Sequence, residues 1–205
     1  CDILLMTATP IPRTLTMTIY GDMDLSIIRE KPNSRKPVKT YSKIESKIED
    51  VIKFIKKEIR LGNQIFWVCP LIEESKKIDH SSAVKKSEYL KKIFPNEVFL
   101  LHGKTTIEEK EKILNKFLKN EFKILVSTTI IEVGIDFPNA NVIIIENANK
   151  FGLSQLHQLR GRVGRGNKES SCILMFKSNL SDNAKKRINI LKDSDDGFEI
   201  SEEDM

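Results

Sequence analysis

The stretch KILVSTTIIEVGIDFPNANVIII, residues 123–145, contains two short apolar runs, Lys123–Ser127 and Val142–Ile145. Neither run alternates apolar and polar residues, as a strand with one face in water would. Four further runs have the same character: Ile3–Met6, Gln64–Cys69, Val98–Leu101 and Ser171–Phe176. Runs that are apolar throughout, or polar only at their ends, are typical of parallel strands covered on both faces. We therefore predict six such strands.

Amphipathic helical patterns separate these strands. Residues 45–60 repeat apolar side chains at helical spacing, and residues 184–192 predict a basic helix. Residues 105–118 open with Thr105-x-x-Glu108, a sequence that predicts a capping box. Strands that alternate with helices indicate a doubly wound α/β domain, with ligands expected at the carboxyl ends of its strands.

The sequence changes in texture at residues 21–40, where Pro32, Asn33, Ser34 and Pro37 interrupt any periodicity. We predict an interdomain linker there. Residues 1–20 would then be the tail of a preceding domain. Because the chain opens directly on an apolar run, we expect it to be a piece of a longer protein.

Composition narrows the classes of function. The net charge of +5 favours an anionic partner such as nucleic acid, although acidic residues are interspersed. Three widely spaced cysteines and three histidines form no ligand-spaced cluster, so we expect reduced thiols, no metal site and a cytoplasmic location. No apolar run approaches the roughly 20 residues of a membrane span, so we expect no membrane partner.

A second informative stretch is QLHQLRGRVGRG, residues 155–166, in which arginines alternate with glycines. Glycines beside cationic side chains suggest a phosphate contact. GRVGRG is not the dinucleotide fingerprint G-x-G-x-x-G, and it precedes a predicted strand instead of following one. Gly103-Lys104-Thr105 is not a Walker A loop either, because Val98 stands where that motif needs another glycine. By itself, the chain should not hydrolyse ATP.

Helical spacing sorts the residues of this stretch. If residues 153–165 are largely helical, Gln158, Arg162 and Arg165 fall within about 60° of one another. The leucines would face the opposite way, with Arg160 pointing away from the other two arginines. Two outward guanidiniums can stabilise charge on a phosphoryl group that a neighbouring domain binds. The alternative is a solvated basic helix face.

These stretches resemble the motifs of superfamily-two helicases and translocases. QLHQLRGRVGRG is similar to motif VI, residues 124–152 to motif V, and LLMTATPIPRT at residues 4–14 to motif III. FWVCPLIEES (66–75) and LHGKTTIEEKEKIL (101–114) resemble motif IV and the segment after it. The resemblance implies the second of two RecA-like lobes, each a parallel sheet flanked by helices. ATP and Mg²⁺ would be bound mainly by the absent N-terminal lobe.

The resemblance also implies a domain plan. Residues 1–20 would be the tail of the first RecA-like lobe, 21–40 the linker, and 41–178 the second lobe. Residues 179–205 would hold a C-terminal helix and the start of a translocation-motif region.

Within the superfamily, WVCPLIEES and FPNAN favour helicases that remodel branched DNA, such as replication forks and Holliday junctions, in recombination and repair. Such a protein would pair this lobe with an N-terminal lobe and a wedge domain, as a monomer. Two alternatives remain: the equivalent lobe of a transcription-repair coupling translocase, and a non-catalytic nucleic-acid-binding module.

The family pattern assigns nucleotide contacts. Arg162 and Arg165 correspond to an arginine-finger pair that reaches the γ-phosphate, with Gln158 beside them. Asp136 corresponds to a ribose contact, and Gly134 permits a tight turn. The alternatives are a DNA-phosphate contact for each arginine and a simple loop cap for Asp136. Arg160 is left for DNA or structure.

The pattern also assigns contacts to DNA and between the lobes. Thr128 corresponds to a phosphate-binding threonine, and His102, Gly103 and Lys104 to a backbone contact at a helix N-terminus, unless they form a plain β–α turn. The stretch Thr7-Ala8-Thr9 would couple nucleotide state to DNA grip. Arg13 could touch DNA or the domain junction. Trp67 lies in a buried-looking run and is interpreted as core, not as a base-stacking platform.

Overall fold

A parallel β-sheet forms the centre of the protein in the computed structural model. The structure describes residues 26, 36–70, 76–128, 137–194, 196, 197 and 200, and for residues 76–81 the backbone alone. Its strands are β1 (Val38–Ile44), β2 (Gln64–Val68), β3 (Val98–Leu101), β4 (Ile124–Ser127), β5 (Ala140–Ile145) and β6 (Ser170–Phe176). The predicted strand Ile3–Met6 lies outside the described residues.

The strand order is β1-β6-β5-β2-β4-β3, and every neighbouring pair is parallel. All strands therefore begin at one edge of the sheet, here called the amino edge, and end at the other, the carboxyl edge. Strands β2, β4 and β5 are buried along their whole length, as expected for the centre of a sheet covered on both faces. The predicted doubly wound α/β fold is confirmed.

Helices cover both faces of the sheet. They are α1 (Ile48–Arg60), α2 (Lys76–Ile93), α3 (Ile107–Leu118), α4 (Leu153–Arg160) and α5 (Asp182–Asp193). Residues of α1 and α2 pack on one face with Trp67, while residues of α3, α4 and α5 pack on the other around Phe66. Trp67 is fully buried, which confirms its interpretation as core. No helix among the described residues is long and apolar enough to cross a membrane.

The sequence patterns did not predict two of the elements, and they placed one helix cap at the wrong residue. Strand β1 begins at Val38, inside the stretch that the sequence predicts as linker, and α2 was not predicted. The capping box belongs to Thr106 and Glu109, not to Thr105 and Glu108. Thr105 Oγ1 instead accepts a hydrogen bond from His102 N at 3.1 Å, inside the preceding loop. The prediction for Thr105 and Glu108 is therefore wrong by one residue.

Candidate nucleotide and nucleic-acid sites

Helix α4 presents its leucines to the core and ends earlier than predicted. Leu153, Leu156 and Leu159 are buried, as the helical spacing predicts. The helix stops at Arg160, and Gly164 adopts a left-handed φ of 75° that a continuing helix does not allow. The prediction of a helix over residues 153–165 is wrong for its last turn. Arg162 and Arg165 therefore lie in the loop of residues 161–169, here called the arginine loop.

The arginine loop presents its two candidate arginines differently. Arg165 is exposed, and its Nε donates to Gly161 O at 3.4 Å, while Arg162 is half-buried and its backbone N–H donates to Leu159 O at 3.0 Å. Gln158 is half-buried in the last turn of α4. The three residues are thus near neighbours along the chain but do not share one helix face.

Close packing fixes the arginine loop at the amino edge of the sheet. A Cβ at Gly164 would lie 2.8 Å from Val38 Cγ2, at the start of β1. A Cβ at Gly166 would lie 3.0 Å from the carbonyl oxygen of Pro138, in the segment that enters β5. Both glycines therefore permit an approach that a side chain would block. The two candidate arginines therefore lie at the amino edge, away from the carboxyl ends of the strands where the sequence predicts ligands.

The predicted ribose contact, Asp136, lies in the sequence just before the segment that packs against the arginine loop. Asp136 and Gly134 lie outside the described residues, as do Thr7, Ala8, Thr9 and Arg13. Asp136 stands two residues before Pro138, whose carbonyl oxygen faces Gly166 of the arginine loop. The structure thus brings the part of motif V that follows Asp136 against the chain of motif VI.

Arg160 has a structural role, which was one of the two roles left open for it. It is only 4% exposed, and its Nη1 donates to the carbonyl oxygens of Leu191 and Ser194, at 2.9 Å for Ser194. These carbonyls belong to the C-terminal end of α5, where a cation is favourable. His157 Nδ1 lies 3.2 Å from Arg160 Nη2. Arg160 therefore joins α4 to α5 and is turned away from solvent.

The candidate nucleic-acid residues lie at the opposite, carboxyl edge. Thr128 follows β4 and His102 follows β3, and the two strands are paired. Thr128 N donates to Leu101 O at 3.3 Å, which holds the start of one loop against the end of the neighbouring strand. In the other loop, Lys104 N donates to His102 Nδ1 at 3.2 Å. The structure brings Thr128 and the His102–Lys104 loop together, with Gly103 and Lys104 exposed.

The N-terminus of α3 is a poor site for a phosphate. Thr106 Oγ1 accepts from Glu109 N at 3.3 Å, and Glu109 Oε2 accepts from Thr106 N at 3.4 Å. Glu108 and Glu109 also place two carboxylates in the first turn, where they occupy the favourable end of the helix dipole. An anion at this corner is therefore left to the His102–Lys104 loop and not to the helix amides.

A buried ion pair that the sequence did not reveal lies at the carboxyl edge. Lys86 Nζ on α2 is 2.7 Å from Glu146 Oε1, which follows β5, and both side chains are largely buried. Cys69 Sγ lies 3.6 Å from Glu146 Oε2. Burial first, and the Glu146 charge second, raise the pKa of the Cys69 thiol. Without the path of α2, nothing in the sequence links Lys86 to Glu146.

No group of three histidine, cysteine or acidic side chains converges to hold a metal ion within the part of the chain that the structure describes. The candidate anion-binding groups are instead Arg162 and Arg165 at the amino edge and the His102–Lys104 loop at the carboxyl edge. Each set carries the charge that a phosphate requires.

Comparisons with known proteins agree with this arrangement. The model of the helicase conserved C-terminal domain matches residues 46–167. The chain is 47% identical over 206 residues to the ATP-dependent DNA helicase RecG of Bacillus subtilis, covering 100% of this chain and 30% of that protein. It is 50% identical to RecG of Aquifex aeolicus, covering 98% of this chain and 26% of that protein. The chain thus spans about a third or less of these curated relatives.

Solved structures give the same result. A structure of RecG bound to a three-way DNA junction superposes with a TM-score of 0.82 at 44% identity, over 96% of this chain and 26% of that one. Dbp5 of S. cerevisiae superposes with a TM-score of 0.62 at 20% identity, over 90% of this chain and 46% of that one, a likeness of fold alone. The sheet is that of a RecA-like helicase lobe, and the chain belongs to the family of helicase conserved C-terminal domains.

Proposed function

We propose that this chain is the second motor lobe of an ATP-dependent DNA helicase that remodels branched DNA. The observation that carries the proposal is the contact between the arginine loop and the segment entering β5, since Gly166 lies against Pro138 O. That contact places two exposed or half-exposed arginines beside the chain that follows Asp136. The similarity to RecG along the whole length supports the same assignment.

Arg162 and Arg165 act as arginine fingers toward the γ-phosphate of ATP, with Gln158 beside them. ATP and Mg²⁺ are held mainly by the N-terminal lobe, and Asp136 binds the ribose after the turn at Gly134. A guanidinium that meets developing charge on the transferring phosphoryl group lowers the barrier to hydrolysis. The packing of the loop supports this role, because Gly164 and Gly166 hold it closely against Val38 and Pro138 and so fix the position of both arginines.

Thr128, His102, Gly103 and Lys104 contact the DNA backbone at the carboxyl edge. Because Thr128 N donates to Leu101 O, the contact by Thr128 is made through its hydroxyl. Lys104 supplies the charge, and the contact carries no sequence information. One relative of known structure is RecG bound to a three-way DNA junction, which supports branched DNA as the partner.

The lobe works with an N-terminal RecA-like lobe and a wedge domain of the same protein, in a cytoplasmic monomer. Thr7, Ala8 and Thr9 couple the nucleotide state to the DNA grip across the two lobes. Arg160 has no contact with nucleotide in this scheme, because it is committed to the end of α5.

The test is the DNA-stimulated ATPase of the full-length protein with Arg162→Ala and Arg165→Ala. Each variant should lose roughly 10³-fold in turnover, because each removes charge stabilisation from the transition state. Arg60→Ala is the matched control, since Arg60 is an exposed arginine in the last turn of α1. If both finger variants keep wild-type turnover, the finger assignment is wrong. If the unsubstituted full-length protein binds DNA but has no ATPase turnover, the lobe is a binding module and the proposal is wrong.

A further inference from the structure

Three buried polar side chains lie at the amino edge and bridge β2, β5 and β6. Asn63 precedes β2 and is 6% exposed, Asn141 is the second residue of β5 at 0%, and Ser170 begins β6 at 1%. Asn141 Nδ2 donates to Asn63 Oδ1 at 3.0 Å, and Ser170 Oγ donates to Asn141 Oδ1 at 3.3 Å. We call these three residues the amide cluster. Buried polar groups are stabilising only when their partners are present, so their positions are tightly coupled.

The neighbours of the amide cluster set the orientation of each amide. Asn63 Nδ2 donates to Glu58 Oε2 at 2.7 Å, while Asn63 Oδ1 accepts from Lys168 Nζ at 3.2 Å as well as from Asn141. A flipped amide would turn its oxygen to the carboxylate and its nitrogen to two donors. The cluster therefore has one arrangement that satisfies its donors and acceptors.

Two segments of the candidate nucleotide site leave directly from this cluster. Asn141 Nδ2 also donates to Asn139 O at 3.2 Å, in the segment that follows Asp136 and enters β5. Lys168 lies near the end of the arginine loop, and Ser170 directly follows the loop as the first residue of β6. A single chain of hydrogen bonds thus joins the segment behind the ribose contact to the loop that holds Arg162 and Arg165.

We propose that the amide cluster is a positioning device that fixes the distance between the arginine loop and the segment behind Asp136, and so aims the fingers. This inference rests on the proposed function of Arg162 and Arg165. Asn141 is its central residue, because it contacts both segments and Asn63. Loss of Asn141 leaves the arginines in the chain but lets the two segments shift independently, and displacements of about 1 Å at a reacting centre can cost about 10²-fold in rate.

Gln64 provides a matched control. It is a buried amide at the same edge, and its Nε2 donates to Phe117 O at 2.6 Å and Phe122 O at 3.0 Å. Its side chain therefore supports α3 and the turn after it. The hydrogen bond from Gln64 to Asn139 O, at 2.7 Å, is donated by its backbone N–H, which Gln64→Ala keeps. Gln64→Ala should lower stability as Asn141→Ala does, without changing the aim of the fingers.

The experiment is a double-mutant cycle in the full-length protein, with DNA-stimulated ATP turnover as the readout. Asn141→Ala should lower kcat roughly 10- to 100-fold, with the KM for ATP changed less than about twofold. In an Arg162→Ala/Arg165→Ala background the same change should cost less than about threefold, because both fingers are already absent. Gln64→Ala should leave kcat within about twofold of wild type in both backgrounds.

The outcomes separate the two proposals. Equal losses from Asn141→Ala in both backgrounds, or a folded Asn141→Ala protein with wild-type kcat, would overturn the positioning role alone. Wild-type turnover in Arg165→Ala would overturn the finger assignment itself. If Asn141→Ala does not fold, the same double-mutant cycle with Ser170→Ala tests the positioning role, because that substitution removes only one oxygen atom from the amide cluster. A loss of about threefold or more that disappears in the Arg162→Ala/Arg165→Ala background supports the inference.

Discussion

Three arginines with similar sequence surroundings have different environments in the folded chain. Arg160 is the last residue of α4 and is buried, whereas Arg162 and Arg165 follow Gly161 and lie in the arginine loop. Helical spacing correctly separated Arg160 from the other two, because it turns inward within α4. Spacing could not place Arg162 and Arg165, because the glycines end the helix before them. Residue identity thus predicted the chemistry, and backbone conformation determined its geometry.

Cys172 gives a prediction at the same scale. Burial in β6 raises the pKa of its thiol to about 12, against the partly opposing charge of Arg160. We expect iodoacetamide at pH 8 to leave the peptide containing Cys172 unlabelled in the native chain and to label it in urea, because the thiolate is the reactive form. Peptide mass spectrometry distinguishes this thiol from Cys1.

The sign of the linked pH effect follows from the raised pKa. In the unfolded chain the thiol ionises near its ordinary pKa of 9.0, while in the folded chain it stays protonated to about 12. The folded state therefore binds more protons in this window, and its free energy of unfolding falls as pH rises from 9 toward 12. Cys172→Ala should make that fall shallower. Rapid labelling of native Cys172 at pH 8 would contradict the buried thiol.

At the scale of elements, the sequence predicted those that are apolar throughout or strongly amphipathic. Strands β2 to β6 and helices α1, α3 and α5 were predicted, with ends shifted by no more than three residues. Strand β1 was missed because VKTYSKI is largely polar, as suits an edge strand with alternating exposure. Helix α2 was missed because its lysine-rich sequence has only a weak apolar stripe.

The capping box shows where local patterns stop being decisive. In TTIEE, residues 105–109, Thr105 and Thr106 each stand three residues before a glutamate, so the pattern fits two registers equally well. The tertiary structure selects Thr106, because Thr105 Oγ1 is used by His102 N in the loop after β3. Contacts from outside the helix therefore determine the boundary.

The arginine loop gives a prediction at this scale, with Gly103 as its control. Gly164→Ala should lower the free energy of unfolding by about 1–3 kcal/mol, because a side chain is strained at this left-handed position and its Cβ would meet Val38 at 2.8 Å. Gly103→Ala should cost less than about 1 kcal/mol, since a Cβ there has open space around it. Urea unfolding of both variants measures the difference. Equal stability of the two would show that the loop does not depend on this turn.

At the scale of the whole molecule, the sheet separates two candidate sites that the sequence listed side by side. Thr128 and Asp136 are close in motif V, yet Thr128 follows β4 at the carboxyl edge, while Pro138, two residues after Asp136, precedes β5 at the amino edge. The sequence predicted which residues pair with nucleotide and which with DNA through family resemblance. It did not predict that the two candidate arginines lie at the amino edge, because that depends on where α4 ends. The candidate DNA residues and the candidate arginines thus lie at opposite edges of the sheet, joined by its strands.

This separation predicts that charge changes at the two edges have distinct effects on DNA binding. Lys104→Ala in the full-length protein should weaken DNA binding and lower the slope of log affinity against log salt by about 1, because one phosphate contact is lost. Lys119 lies at the far end of α3, toward the amino edge, and is exposed. Lys119→Ala should leave the salt slope unchanged. Because both substitutions remove one positive charge, a difference between them reports the position of the lysine and not the net charge.

Fluorescence anisotropy with a labelled branched DNA, repeated across a salt series, measures both slopes. Arg165→Ala should match wild type in this assay while losing turnover, because its charge lies at the amino edge. Lys104→Ala should show the reverse: weaker DNA binding, with turnover restored when DNA is saturating. If Arg165→Ala lowers the salt slope as much as Lys104→Ala does, then Arg165 contacts a DNA phosphate. In that case the arginine loop belongs to the DNA interface, and the division of the lobe into two edges is wrong.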